Sequence, residues 1–456
     1  MISESVVWKL SHQRLAALLL GVGFCAPAAF AQPVSQAAAQ PVAVPPAVPA
    51  SGTSGTSPAS AASDEKLRRF MQQVRPQPDP TKAGSQAVRD AQSVSPERLV
   101  QRAELLKQGE LLLSRQSTSE ALATFERAAL ILHAADSEMA IVRSHMQAGE
   151  YRRALAFGAH TAGAHLDVVG GSALYAWLLY AGGQTQVAQR LLAEAQARSA
   201  SSPLIAAVSV QLATGQPRAL GSLLALPTRL APHGDASGVP KTARAVGSAT
   251  LLPGGKSAFV PTALLPPGNT GLWLRNGLGQ TAKATVTQRL PQFGLAVVSL
   301  STALVVPEDY TVAPRDAFAG SIGYAIEYAS LTTLEAAWPL LRSGFLGGQA
   351  DGGDPTSSWR SLGVDMPKGP RGGPVFDAAG QLAGIALPRA AYKVPAKGKA
   401  KAADLMVPVS ALKAALGASF AEATNPAALA QAVPPPKAAM DRVYESALKS
   451  SLQVIR

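Results

Sequence analysis

The segment Gly369-Pro370-Arg371-Gly372-Gly373-Pro374-Val375-Phe376-Asp377 places a turn rich in glycine and proline directly before a short apolar strand. On both sides of it, over residues 245–416, apolar runs are short, alternate with polar residues and are separated by turn residues. One of these turns is Asn276-Gly277, between residues 272–275 and 281–288. This pattern predicts an all-β sandwich or barrel. A helix over 409–416 is predicted to close the region.

The composition limits the class of protein. The chain has 456 residues with 40 Gly and 35 Pro, enough for two or three folded units with connectors. Apolar residues make up 47% and charged residues 15%, which excludes wholesale disorder. No apolar run reaches the ~18 residues that span a bilayer. The net charge of +12 favours anionic surfaces or acidic partners, but basic residues interleaved with stacking aromatics are absent, which argues against nucleic acid.

The first 31 residues have the layout of a secretory signal peptide. Lys9 and Arg14 precede an apolar stretch over 15–26, and small residues end at Ala31. The predicted location is therefore the periplasm or the exterior. The single cysteine, Cys25, lies inside this segment, and Phe24 before it disfavours lipidation. Residues 32–94 are rich in Ala, Pro and Ser and predict a disordered tether with a short helix.

Residues 95–224 have a helical pattern that repeats. Ala121, Ala154 and Ala188 are separated by 33 and 34 residues, close to the period of a tetratricopeptide array. Gly149 and Gly183 stand at matching turns, and Ser95 before Pro96 predicts the helical start. The sequence therefore predicts an α-solenoid of tetratricopeptide-like repeats, with an unrelated Ala-rich helical bundle as the alternative.

Two connecting or terminal segments complete the predicted organisation. Residues 225–244 are predicted to be a linker, and 418–456 a Pro-rich linker followed by a terminal amphipathic helix. Its apolar residues fall on one helical stripe. They are Met440, Val443, Tyr444, Ala447, Leu448, Leu452 and Ile455. This helix is predicted to pack on its own protein or to dock on a partner.

Residues 245–417 resemble the trypsin-like serine proteases, specifically the bacterial HtrA-like branch. The segment 369–377 resembles the Gly-Asn-Ser-Gly-Gly-Pro nucleophile loop with its following strand. The segments 247–252, 295–298, 320–324 and 405–409 are similar to strands of that domain in the same order. The resemblance implies a double β-barrel, so the predicted fold class is a multidomain α plus β chain.

The resemblance implies a triad in which histidine activates serine and aspartate orients the histidine. At the corresponding positions this chain has Ala263, Gly294 and Arg371. Residues 241–456 contain no histidine, so the β domain cannot supply an imidazole base in any alignment. A Ser-Lys dyad, with serines at 357, 358 and 361 before Lys368, remains a weaker alternative. The sequence therefore predicts a pseudoprotease without a catalytic site.

Binding is the predicted activity that remains. Arg371 and Lys368 are candidates to hold a peptide carboxylate, while Gly372 and Gly373 shape the former cleft or simply preserve a tight turn. The repeat resemblance implies a concave groove, and packing inside the array is the alternative for the residues it would expose. These residues are Arg143, Met146, Trp177 and Tyr180.

No cofactor or metal site is predicted. The sequence contains His133, His145, His160 and His165, but their spacing does not match a metal-binding motif. Lys393, Lys397, Lys399 and Lys401 are predicted to lie in a solvated loop, with attachment to an anionic envelope polymer as the alternative.

The prediction is an exported, non-catalytic binding or scaffolding protein with a protein or peptide partner. Its alternatives are an active or conditionally activated HtrA-like endopeptidase and a basic adhesion module for the cell envelope.

Overall fold

The computed structural model describes eight stretches of the chain. They are residues 93–214, 238–266, 271–328, 338–349, 359–366, 371–387, 404–417 and 437–456. All of them belong to one compact unit, Arg69–Arg456. Outside the described residues lie the predicted signal peptide, the tether up to residue 92, most of the 225–244 linker, Lys368, and the lysine-rich and proline-rich segments. Among the described helices, none combines the length and apolarity needed to cross a membrane.

Seven helices form the first part of the structure. They are α1 (Pro96–Ser114), α2 (Thr118–Ile131), α3 (Ala135–Gln147), α4 (Tyr151–Ala164), α5 (Val169–Ala181), α6 (Thr185–Arg198) and α7 (Pro203–Thr214). The Ser95 side chain accepts a hydrogen bond from the backbone N–H of Arg98, and Pro96 opens the first turn. The predicted start of the helical region is confirmed because serine satisfies an otherwise unpaired N–H and proline has none to satisfy.

The helices stack in sequence-adjacent pairs with the predicted spacing. The helices α2, α4 and α6 begin at Thr118, Tyr151 and Thr185. Gly149 and Gly183 follow the ends of α3 and α5 with φ of 73° and 87°, a conformation that favours glycine. In each case the backbone N–H of the next residue donates a hydrogen bond to a carbonyl of the preceding helix. The stacked helical region is thus confirmed, whereas its identity as a tetratricopeptide array stays a prediction.

The strands form two closed antiparallel barrels. The first barrel has the order β1 (Ala245–Leu251), β12 (Ser451–Ile455), β3 (Leu272–Asn276), β4 (Thr281–Leu290), β5 (Leu295–Leu300) and β2 (Ser257–Pro261). The second has the order β10 (Leu382–Ala386), β11 (Asp404–Pro408), β8 (Arg360–Gly363), β7 (Leu340–Gln349), β6 (Ser321–Glu327) and β9 (Pro374–Asp377). A helix, α8 (Val409–Leu416), follows β11 as predicted. The predicted trypsin-like double β-barrel is confirmed.

Each barrel encloses its own apolar core. Small and aliphatic side chains such as Ala249, Leu274 and Val298 fill the first barrel. Val375, Leu346 and Met406 belong to the core of the second. Because alternate residues point inward, the short alternating runs in the sequence are sufficient to close both barrels.

The terminal segment departs from its prediction. A helix, α9, occupies Met440–Ser450, but Ser451–Ile455 is strand β12 rather than a continuation of that helix. It pairs antiparallel with β1 on one side and with β3 on the other. The assignment of Leu452 and Ile455 to a helical stripe was therefore wrong. Backbone pairing with two open strand edges outweighs helical periodicity over so short a run.

An aromatic cluster joins the helices to the barrels. It consists of Tyr151 from α4, Trp177 from α5, Trp338 before β7, and Tyr444 from α9. The rings of Tyr151 and Tyr444 lie 4.5 Å apart, and those of Trp177 and Trp338 lie 5.6 Å apart. The Tyr444 hydroxyl donates to the Pro339 carbonyl at 2.7 Å. The helix α9 thus packs on its own protein, one of the two predicted outcomes.

Candidate functional site

The three positions predicted to correspond to a protease triad lie on neighbouring elements. Ala263 is exposed in a short 3₁₀ turn after β2, and Gly294 ends a similar turn before β5 with φ of 62°. The backbone N–H of Thr262 donates to the Gly294 carbonyl at 2.8 Å. Arg371 precedes β9, and the next residue, Gly372, packs against Pro261. The structure therefore brings these three sequence positions to one region.

Arg371 points into the protein rather than into an open cleft. Only 5% of the residue is exposed, and its guanidinium lies 2.5 Å from the Asp404 carboxylate at the start of β11. An ionic pair of this kind is stable in the interior only when each charge compensates the other. The prediction that Arg371 is available for a peptide carboxylate was wrong, because a carboxylate of the same chain already holds it.

Gly372 allows the two barrels to approach closely, and Gly373 allows close packing against β6 inside the second barrel. A Cβ on Gly372 would lie 2.5 Å from the Ser248 carbonyl oxygen, and a Cβ on Gly373 would lie 1.9 Å from the Ile326 carbonyl oxygen. The Gly372 carbonyl accepts a hydrogen bond from the Thr250 hydroxyl at 2.8 Å. The glycines are therefore required for packing, which supports their interpretation as a preserved tight turn.

Glu327 at the end of β6 is a buried carboxyl group that the sequence analysis missed. Its Oε1 accepts hydrogen bonds from the N–H groups of Gly372 and Gly373, at 3.2 and 3.0 Å. Burial raises its pKa to about 7, although hydrogen bonds from Ser248 and both glycines and the charge of Arg371 act in the opposite direction. Its signal in the sequence was a single acid ending the otherwise uncharged strand 321–327.

This carboxyl group predicts a pH-dependent stability. The pKa of Glu327 rises from 4.5 in the unfolded chain to about 7 in the fold, so only the folded state binds the proton between these values. The contribution of Glu327 to the free energy of unfolding is therefore fully present below pH 4.5 and decreases by about 3 kcal/mol in total as the pH rises to 7. We expect Glu327→Gln to remove this component, measured by urea unfolding at pH 5 and pH 8.

The matched control is Glu104→Gln, since the Glu104 side chain is 72% exposed. The free energy of unfolding of this variant should depend on pH in the same way as that of the wild type. If the free energy of unfolding changed equally between pH 5 and pH 8 in the wild type and in Glu327→Gln, the raised pKa of Glu327 would be contradicted, whatever the absolute stability of the variant.

The residues predicted to line a repeat groove are buried. Met146 and Trp177 are each 1% exposed, and Tyr180 is 5% exposed. Trp177 packs on Trp338 and donates from Nε1 to the Gln211 side chain at 2.9 Å. Arg143 forms an ion pair with Glu110 of α1. The burial of these four side chains contradicts the open groove and agrees with the alternative prediction of internal packing, because neighbouring helices and the barrel region cover them.

Comparisons with known proteins concern the double barrel. No family model matches the sequence, and no curated protein matches it. One similar solved structure is the MamO protease domain from Magnetospirillum magneticum in its apo form, with 17% identity, 40% of this chain and 98% of that chain covered, and a TM-score of 0.28.

Two further structures are similar over 39% of this chain. The HtrA-type protease AlgW with a decapeptide has 17% identity, with 39% of this chain and 52% of that chain covered and a TM-score of 0.31. The Rv3671c protease in its inactive form has 15% identity, with 39% of this chain and 86% of that chain covered and a TM-score of 0.28. At these identities the likeness concerns the fold, and the trypsin-like architecture of this chain is evident from its own strand order.

Proposed function

We propose that this chain is an exported, non-catalytic protein-binding protein whose trypsin-like domain has lost its protease chemistry. The observation that carries the proposal is the burial of Arg371 against Asp404, at the position that we align with the nucleophile of the trypsin-like proteases. A guanidinium cannot act as an acyl nucleophile at neutral pH, and residues 241–456 contain no histidine to act as a base.

The interior contacts support a scaffolding role for the barrels. The N–H groups of Gly372 and Gly373 are used by Glu327, and the Gly372 carbonyl is used by Thr250. The loop that presents the nucleophile in an active protease is thus held here by internal hydrogen bonds. A protease fold that is kept without the catalytic residues is suited to binding a protein rather than to cleaving it.

The purified protein is expected to leave casein intact. Unfolded casein should give no fragments above a no-protein blank, with an active HtrA-type protease as the positive control, and a fluorophosphonate probe should label no serine. Without the triad only the oxyanion hole and substrate binding remain, a residual of roughly 10³ to 10⁴-fold over water that this assay would not detect. Inhibitor-sensitive cleavage, or a labelled serine, would contradict the proposal.

The remaining alternative of a Ser-Lys dyad has its own control. Of its serines, Ser361 is described and its hydroxyl donates to the Gly348 carbonyl at 3.3 Å, whereas Lys368 lies outside the described residues. If cleavage were observed, its loss in Lys368→Met would favour the dyad.

The binding part of the proposal is tested by site-specific crosslinking. Both surfaces predicted to receive a partner are occupied from within, so a partner would contact outer surfaces. A photo-crosslinking residue placed at Val100, 71% exposed on α1, and at Phe318, 68% exposed before β6, samples the two regions. We expect a discrete protein adduct at one of them in the native compartment. Absence of adducts at both positions would count against a protein partner.

A further inference from the structure

Four ionisable side chains meet inside the helical region, away from the barrels. We name them the histidine–glutamate cluster: His133, Glu138, His160 and His165. His133 lies between α2 and α3, Glu138 in the first turn of α3, His160 in α4, and His165 directly after α4. Glu138 is fully buried, while the side chains of His160, His165 and His133 are 12%, 10% and 25% exposed.

The histidine nitrogen atoms converge on one carboxylate. The Nε2 atom of His133 contacts Oε1 of Glu138. The Nε2 atom of His160 lies 3.1 Å from the same oxygen, and that of His165 lies 3.3 Å from Oε2. One ligand atom each from His133, Glu138 and His165 lie within 4.8 Å of one another. Ligand atoms in a tetrahedral zinc site are about 3.3 Å apart, given bonds of about 2.0–2.1 Å. The 3.3 Å between His165 and Glu138 already matches this spacing, whereas the contact between His133 and Glu138 is shorter and would lengthen when an ion binds between them.

The same cluster contains polar atoms without hydrogen bonds. Among the described residues, Oε2 of Glu138 and Nε2 of His160 and His165 have no partner of hydrogen-bond geometry. Buried polar atoms in this state are costly and rare, and several of them directed at one point are rarer still. A cation at that point would satisfy imidazole lone pairs and carboxylate oxygen together.

We propose that His133, Glu138 and His165 bind one divalent transition-metal ion of the zinc class, with His160 positioning the Glu138 carboxylate. Imidazole nitrogen and carboxylate oxygen are ligands that such ions accept, whereas magnesium and calcium favour all-oxygen sets. The 25% exposure of the His133 side chain provides access for the ion and for a water ligand.

The site would link two adjacent helices, α3 and α4. Because His133 and Glu138 flank the start of α3 while His165 ends α4, a shared ion holds both ends of this helix pair together. Bound metal then stabilises the folded helical region by mass action. The sequence spacing did not suggest this site because the ligands come from separate elements that only packing brings together.

The test uses the purified, untagged full chain stripped of metal with a chelator. Isothermal titration with Zn²⁺ is expected to give one ion per chain with a Kd of about 1 μM or tighter. Titration with Co²⁺ should produce the visible absorption of a four- or five-coordinate ion. Zinc should also raise the midpoint of thermal unfolding.

The variants separate ligands from positioning residues. Loss of a residue that only hydrogen-bonds a metal ligand typically weakens metal binding by roughly 10 to 100-fold, and this is the loss expected for His160→Ala. Loss of a ligand should cost more, so His165→Ala should weaken zinc binding at least ~100-fold. The matched control is His145→Ala: His145 is a buried histidine on the same helix α3, but it contacts Glu150 at 2.7 Å and lies outside the cluster. It should retain wild-type affinity.

Failure of the wild type to bind Zn²⁺ or Co²⁺ would overturn the proposal, as would unchanged affinity in His165→Ala. Should His165→Ala misfold by circular dichroism, Glu138→Gln, which keeps the side-chain size, replaces it with the same expected loss. The wild-type Co²⁺ spectrum decides the question without any variant. None of these results depends on whether the barrel domain is catalytic.

Discussion

Removal of residues 451–456 is expected to abolish the folding of the first barrel. These residues include strand β12, which closes the barrel between β1 and β3. Its five residues are all buried, and Leu452, Val454 and Ile455 belong to the core. Burial of each is worth about 1.5–3 kcal/mol, so the truncation removes roughly 5 kcal/mol or more, comparable with the total stability of a typical domain.

The truncation would also expose two strand edges. Ala245, Ala249 and Thr250 of β1 would lose their partners, as would Trp273 and Leu274 of β3. Unpaired edges of this kind associate with other chains, so aggregation is expected with the loss of stability. Urea unfolding and size-exclusion chromatography measure both effects.

The control for the truncation is Arg456→Ala, which alters the exposed last residue and leaves β12 intact. It removes only the bonds from the guanidinium to the Leu264 and Leu265 carbonyls. A truncated chain that unfolds with wild-type midpoint and cooperativity would show that β12 is dispensable and that the barrel closes without it.

Arg371→Ala is expected to destabilise the protein by about 3–5 kcal/mol. The substitution leaves the Asp404 carboxylate without its buried counter-charge, and the Asp404 side chain is only 11% exposed. Removing one member of a buried pair costs more than the pair itself contributes, because the other charge remains desolvated. Chemical unfolding at pH 7 measures this loss directly.

Two further variants identify the cause of that loss. Arg371→Met combined with Asp404→Leu removes both charges at similar volume and should recover most of the stability. Arg442→Ala breaks the pair with Asp309, whose side chains are 60% and 49% exposed, and should cost less than about 1 kcal/mol. Equal losses for Arg371→Ala and Arg442→Ala would be incompatible with a buried pair.

Local signals predicted much of the fold. Ser95 and Pro96 marked the start of the first helix, Gly149 and Gly183 marked two helix ends, and alternating apolar residues marked the strands. Each of these signals acts within a few residues, through a capping hydrogen bond, a positive φ or a side-chain period. The resemblance of 369–377 to a nucleophile loop then predicted the double barrel that the strand order confirms.

The candidate site was predicted less well because it depends on non-local partners. The positions of Ala263, Gly294 and Arg371 were identified from the sequence, but Asp404 lies 33 residues beyond Arg371 and was not expected to pair with it. For Trp177 the sequence left open a groove position and internal packing, and the side chain packs on Trp338, which lies far along the chain. A periodic pattern indicates which residues share a face, yet it does not indicate what covers that face.

The sequence by itself determined the helical and β regions, their order, and the absence of histidine from residues 241–456. The tertiary structure alone decided that residues 451–455 close the first barrel, that Arg371 is used internally, and that three histidines surround Glu138. The physical reason is that composition and period are properties of the chain, whereas burial and charge pairing depend on segments far apart in sequence that meet only on folding.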